Sequence, residues 1–330
     1  MRLHRGLALG ASALVLFLSA CSTGGGSKPT IKVGSDGFYE AKLMAEIYAQ
    51  GLEAKGFKID RTGIGIGTRK VSAPALDSGQ IDLKPEYIGS GLAFYQAPPA
   101  ASGAPASGAP AASAAPAATI DKGDPAAVAT ALQAILKPKG ITVLNFSPAA
   151  DQNAFVVRKE TADQFHLTKM SDLTAVASQL KLGVATDCPT NPVCGKALKD
   201  AYGIDVSNAT KLAACDAPMA QALLGKTIDV GELCSTQPDI AVNGWVVLQD
   251  DKHTQPADNL APLIRDDLLS KLGTDKDAVQ KLLNDISAAM DTATLTDLGK
   301  QVSVDKKDIA AVAKAWLQSK GFISGTPAGS

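Results

Sequence analysis

The sequence predicts an α/β protein built as two lobes. Three observations carry this. Strand-then-helix units repeat between residues 31 and 95, and a second alternation of helix and strand runs over residues 181–233. The chain, at 330 residues, is also long enough to bury two cores.

The amino-terminal segment stands apart from both lobes. Arg2, His4 and Arg5 give it a basic start, and residues 7–18 form an apolar run too short to span a bilayer as a stable helix. The run ends in Leu18-Ser19-Ala20-Cys21, small residues before a cysteine that resemble a bacterial lipobox. Residues 1–20 therefore read as a signal peptide and Cys21 as a lipidated mature amino terminus, the alternative being an ordinary signal peptide with a chance cysteine. Residues 21–30 are the anchor and its tether, flexible through their Gly and Ser content. This expectation puts the protein outside the cytoplasmic membrane, held to its outer face by lipid alone. A formal net charge of −1, with no basic patch or charge run, speaks against nucleic acid as a partner.

Residues 31–33 read as a short strand, and Gly34-Ser35-Asp36-Gly37 as the turn into a helix that Ser35 or Asp36 could cap. In that helix Leu43, Met44, Ile47, Tyr48 and Leu52 recur on one face, and Gly56 stops it. Free N–H groups at its start could face a ligand, which makes Ser35, Phe38 and Tyr39 candidate contacts; Phe38 could equally be a staple for the helix. Residues 57–60 are a second strand. They lead to Gly63-Ile64-Gly65-Ile66-Gly67-Thr68-Arg69, which lacks the spacing and the following acid of a dinucleotide fingerprint and reads as a turn into a helix over 70–78. Thr68 and Arg69 could face a ligand there.

Residues 81–95, IDLKPEYIGSGLAFY, are the stretch the lobe is organised around. Alternation over 81–84 gives a half-buried strand that Pro85 should end, and Ile88, Leu92 and Tyr95 begin a helix. Tyr87 stands at the strand-to-helix junction, where α/β proteins bind ligands, although such a ring can be mere packing. Residues 97–118 contain only Ala, Pro, Ser and Gly, cannot bury a core, and read as a disordered insertion in a surface loop. Beyond it, helix 126–136, strand 141–146, the polar loop 147–153 and strand 154–157 follow. A capped helix starts near 168–173, and strands at 181–185 and 228–233 alternate with helices at 197–202 and 220–224. Strands at 245–248 and 261–264 and helices at about 266–272, 277–295, 294–302 and 307–320 complete the chain.

The cysteines after Cys21 are Cys188, Cys194, Cys215 and Cys234. An even number in an exported domain favours disulfides over a metal site. Three pairings are possible; Cys188–Cys194, across a short Pro-containing loop, with Cys215–Cys234 is preferred. His166 and His253 are the only histidines after Cys21 and have no recognisable partners, so neither a thiol enzyme using Cys188 nor a zinc site is expected, and no metal or cofactor is implied.

Five motifs in consistent order resemble one family: Gly34-Ser35-x-x-Phe38-x-Glu40, Ile81-Asp82-Leu83-x-Pro85-Glu86-Tyr87-Ile88-Gly89, Pro148-Ala149-x-Asp151-Gln152-Asn153-Ala154-Phe155-Val156-Val157, Ile228-Asp229-Val230 and Val247-Leu248-x-Asp250-Asp251. The chain is similar through them to substrate-binding lipoproteins of osmoprotectant ABC importers, which bind glycine betaine, choline or proline betaine. The resemblance implies a type II, Venus-flytrap periplasmic-binding-protein fold, each lobe a mixed sheet flanked by helices. It implies lobe 1 over 31–158, lobe 2 over 159–246 and lobe 1 again over 247–330, with crossings near 157–159 and 245–248. The partners it implies are a small solute, an ABC permease and its ATPase, with the receptor a monomer and not an enzyme. In this family aromatic faces hold a trimethylammonium group by cation–π attraction. Tyr87 matches a cage tyrosine, whereas Asn153, Cys234 and Asp258 stand where relatives often carry rings, and Asn191 falls near a carboxylate-pairing arginine. Asp258 could meet the cation as a charge; Asn153, Thr236 and Gln237 could hydrogen-bond a hydroxyl-rich ligand. An unrelated alternative is a sensory or structural lipoprotein with no transported solute.

Overall fold

The computed structural model describes residues 28–97 and 121–325. Residues 1–27, 98–120 and 326–330, which hold the signal peptide, Cys21 and nearly all of the Ala/Pro insertion, lie outside the described residues.

Two five-stranded mixed sheets form the two lobes. The first contains β1 (Ile31–Gly34), β2 (Ile59–Gly63), β3 (Leu83–Tyr87), β4 (Ile141–Val143) and β10 (Leu260–Arg265) in the order β2-β1-β3-β10-β4. The second contains β5 (Asn153–Val157), β6 (Leu182–Ala185), β7 (Thr210–Leu212), β8 (Val230–Cys234) and β9 (Val246–Val247) in the order β7-β6-β8-β5-β9. Parallel pairs (β1 with β2 and β3; β6 with β7 and β8) are joined by helical crossovers, and the returning strands β10 and β5 run antiparallel to their neighbours. The expected two-lobed α/β fold is therefore the observed one.

Helix α1 (Tyr39–Glu53) shows why the pattern was readable. Leu43, Met44, Ile47, Tyr48 and Leu52 are each 0% exposed. They pack on the first sheet and on the carboxy-terminal helices Lys276–Ala288, Thr292–Ser303 and Ile309–Ser319. The expected cap is not made: the N-cap position is Phe38, without a side-chain bond, and Asp36 is instead engaged by Lys84. A single helix expected over 277–295 ends at Ala288, because Asp291 caps the next one through the Thr294 N–H.

Two expectations are corrected by the sheet pairing. Pro85 does not end its strand but lies inside β3, directly opposite Pro262 of β10. Neither proline has an N–H, so facing each other they leave the ladder bonds to their neighbours. The crossings between lobes also lie elsewhere. Residues 153–157 pair with β8 and β9, so the second lobe begins before β5, not at 159. Gln249 still bridges to Lys169, and the Asp250 and Asp251 side chains bond Tyr202 and Ser171, so the lobe continues past 246. The two connecting strands run side by side, Ala150 bridged to Asn259 and the Asp151 N–H donating to the Asp258 carbonyl at 3.1 Å. An apolar run announces a strand; it does not say which sheet the strand joins. Gly89, at the start of α3 (Ile88–Gln96), lies against the second connection: a Cβ there would be 2.5 Å from the Ala257 carbonyl oxygen.

Candidate functional site

A cavity of about 320 Å³ opens between the lobes. Its first wall comes from the turn before α1, the start of α2 (Arg69–Ser78) and the end of β3, which bring Phe38, Thr68, Arg69 and Tyr87 together. The Phe38 and Tyr87 rings lie against each other with centroids 5.7 Å apart and planes tilted by 33°, and they are the only aromatic side chains among the described lining residues. Tyr87 is 5% exposed and its hydroxyl donates to Glu40 Oε1 at 2.6 Å.

Behind this wall lies a network of buried charges. Arg69 Nε and Nη2 donate to Glu86 Oε1 at 3.0 and 2.9 Å, and Nη2 also donates to Ser90 Oγ at 2.7 Å. Lys84 is wholly buried and donates to Glu86 Oε2, Asp36 Oδ1 and Ser72 Oγ at 3.0, 3.1 and 2.9 Å. The two cations and two carboxylates balance, which is what allows charges to be buried inside a strand.

The second wall is different in kind. Asn153, Asp187, Asn191, Asp216, Glu232 and the Cys215–Cys234 sulfurs line it. No cation among the described lining residues comes from this lobe. Glu232, in the middle of β8, is 2% exposed, and the Ala185 N–H donates to its Oε2 at 2.7 Å. The Cys188 and Cys194 sulfurs are 2.01 Å apart and those of Cys215 and Cys234 1.92 Å, the preferred pairing. Each pair lies beside a carboxylate, but sulfurs bonded to each other offer no thiolate to a metal.

At the base of the cleft the connecting strands contribute Asp151 and Asp258. Asp151 Oδ1 accepts from the Ser235 hydroxyl and the Thr236 N–H, each at 3.0 Å. Asp258 Oδ1 accepts the N–H groups of Gly89 and Ser90 at 2.8 and 3.0 Å, at the positive end of α3.

Of the residues expected from sequence, Phe38, Thr68, Tyr87, Asn153, Asn191 and Asp258 line this cavity. Ser35, Tyr39 and Thr236 do not. Ser35 is fully buried and its hydroxyl accepts the Gly65 N–H; the Tyr39 ring is turned into the core against Gly299. Thr236 donates to Glu40 Oε2 at 2.6 Å, joining the second lobe to α1 instead of facing the cavity. Asp187, Asp216 and Glu232 were missed. For Glu232 a signal existed: it is the one charge inside the apolar run Val230-Gly231-Glu232-Leu233-Cys234.

Burial pushes several of these carboxyls up. Glu40, Glu232 and Asp258 each rise to about 7, in Asp258 despite the nearby Arg69 charge. Glu86 goes the other way: burial opposes its charge, but Arg69 and Lys84 overcome that and hold it at about 2. A carboxyl raised on folding stabilises the fold below its ordinary value near 4.5 and loses that contribution as pH rises through about 7. Glu86 contributes above its ordinary value near 4.5, and that contribution is lost as pH falls toward about 2. Stability of the ligand-free protein should therefore peak near mildly acidic pH and decline toward neutrality. Urea denaturation across pH checks this; stability rising steadily toward neutral pH would contradict it.

Residues 29–319 match the family described as the substrate binding domain of ABC-type glycine betaine transport systems. The chain belongs to this family. Members are the solute-binding components of ABC importers, so this protein is an extracytoplasmic solute receptor and not an enzyme. It is 25% identical over 331 residues to the glycine betaine-binding protein YehZ of Escherichia coli, with 96% of this chain and 98% of that one covered. It is 26% identical over 316 residues to the carnitine transport binding protein OpuCC of Listeria monocytogenes, with 94% of each chain covered. Among solved structures, that of a glycine betaine/carnitine/choline ABC transporter superposes with a TM-score of 0.62 at 22% identity, covering 89% of this chain and all of the other. Lactococcal OpuAC, closed on glycine betaine, superposes with a TM-score of 0.58 at 14% identity over 89% of this chain and 97% of its own. These likenesses extend the family's fold over both lobes. No helix among the described residues is long and apolar enough to cross a membrane.

Proposed function

We propose that the protein captures a small quaternary-ammonium solute, of the glycine betaine and choline class, in the cavity between its lobes and delivers it to an ABC permease. One observation carries this reading: Phe38 and Tyr87, the one ring pair among the described lining residues, share the cavity with Asp187, Asp216, Glu232 and Asp258. A methylated ammonium is apolar at its surface and positive overall, and a ring face beside carboxylates suits both properties. Thr68, Asn153 and Asn191 supply polar contacts around it. Closure is stabilised by whatever affinity the solute has for both walls at once. The missing ring in the second lobe, where Asn153 and Cys234 stand, favours a second reading in which the receptor takes another small polar or aromatic solute. A calorimetric screen against betaines, choline, carnitine, sugars and phenolics separates the two; tight binding only to a non-ammonium compound would replace the first reading.

The anchor and the cross-links belong to the same reading. Cys21 carries lipid and holds a monomeric receptor at the outer face of the membrane. Cys21→Ser should move the protein into the soluble fraction, and unchanged fractionation would place the anchor elsewhere. The two disulfides close loops of 6 and 19 residues in the second lobe. Reducing them is expected to cost about 2–4 kcal/mol, read as a lowered urea midpoint with reductant. An unshifted midpoint would show that they carry no stability.

A further inference from the structure

The cavity wall of the second lobe contains a group that a bare trimethylammonium leaves unused. Glu232 and Cys234 point from the same face of β8 toward the cavity, while Gly231 packs on Met219 and Leu233 lies in the opposite core. Glu232 is 2% exposed, yet among the described residues its carboxylate receives a single hydrogen bond, from the Ala185 N–H to Oε2. Among the described residues Oε1 receives no hydrogen bond, and no lining cation comes from the second lobe. The neighbouring charge, Asp187, is of the same sign, and the adjacent Cys188 and Cys194 sulfurs are bonded to each other. Oε1 opens onto the cavity, where water can reach it, but once the lobes close on a solute a carboxylate oxygen left without a donor is costly unless the solute supplies one. The single cation among the described lining residues, Arg69, is already held by Glu86 and Ser90.

We infer that Glu232 accepts a hydrogen bond from the bound solute, and that the preferred solute is an organic cation carrying an O–H or N–H donor and no carboxylate. This rests on the quaternary-ammonium reading and sharpens it. The ammonium sits against Phe38 and Tyr87, and the donor reaches across the cavity to Glu232 Oε1. A zwitterion of betaine type would bring its carboxylate toward Asp187, Asp216 and Glu232, with only a neutralised arginine to receive it. The structural alternative is that Glu232 merely ties β8 to β6 through Ala185. Glutamine preserves that tie, because its carbonyl oxygen accepts the same N–H.

The test is calorimetric titration of the full-length protein and its Glu232→Gln variant with choline, tetramethylammonium and glycine betaine. Choline has the cation and a hydroxyl, tetramethylammonium the cation alone, and glycine betaine the cation with a carboxylate. Choline is expected to bind tighter than either of the others, on the order of tenfold to a hundredfold for a hydrogen bond to a charged group. Glu232→Gln should weaken choline by a similar factor, leave tetramethylammonium within a few-fold, and so bring the two together. Equal binding of choline and tetramethylammonium, or a choline preference that survives Glu232→Gln, would overturn the role of Glu232 while keeping the receptor reading. Glycine betaine binding tighter than choline would overturn the preference for a net cation and assign Arg69 to its carboxylate. If none of the three binds, the quaternary-ammonium reading falls and the Glu232 proposal with it.

Discussion

Lys84→Met is expected to cost about 3–5 kcal/mol of folding stability, the usual penalty for removing one partner of a buried ion pair. The Lys84 side chain is 0% exposed, as is that of Glu86, and the lysine is shared by Asp36, Ser72 and Glu86. Methionine fills most of the volume, so the loss is electrostatic: Asp36 and Glu86 remain buried with one cation, Arg69, where there were two. Urea denaturation measures the loss. The same substitution in a Glu86→Gln background should cost clearly less, because the carboxylate it strands is then absent. A loss below about 1 kcal/mol in the wild-type background, the size of an exposed pair, would mean that water reaches the network and that the first wall is softer than its geometry indicates.

Tyr87→Ala is expected to weaken every quaternary-ammonium solute strongly, including those without a hydrogen-bond donor. A desolvated ring face contributes about 2 kcal/mol to holding a cation, roughly thirtyfold in affinity, and Phe38 loses the ring packed against it at the same time. Truncating a buried ring also costs about 3–5 kcal/mol of stability, so Tyr87→Phe is the needed comparison. Phenylalanine keeps the face but removes the hydroxyl that Glu40 accepts at 2.6 Å. It should lower stability by about 1–3 kcal/mol while changing affinity only a few-fold. Wild-type affinity for the solute in Tyr87→Ala would show that the cation sits elsewhere in the cavity.

Both substitutions fall in the stretch IDLKPEYIG, where local pattern and tertiary pairing part company at Pro85. The placement of Tyr87 at a strand-to-helix junction followed from local pattern, as did the buried stripe of α1, because periodicity records which face of an element meets a core. Pro85 was misread because a proline's effect on a strand depends on what stands opposite. That partner, Pro262, is distant in the chain.

The family, the two-lobed α/β architecture, the motif around Tyr87 and the preferred cysteine pairing were legible in the amino-acid sequence. Each is written in residues close together in the chain, or in motifs whose order alone is informative. Only the tertiary structure decided which sheet residues 153–157 join, and therefore where the lobes are hinged. It also decided that Ser35, Tyr39 and Thr236 turn away from the cavity while Asp187, Asp216 and Glu232 face it. The physical reason is the same in each case. Whether a polar side chain is satisfied by the protein or left for a ligand depends on donors and acceptors brought from other parts of the chain, as the Ala185 N–H is brought to Glu232.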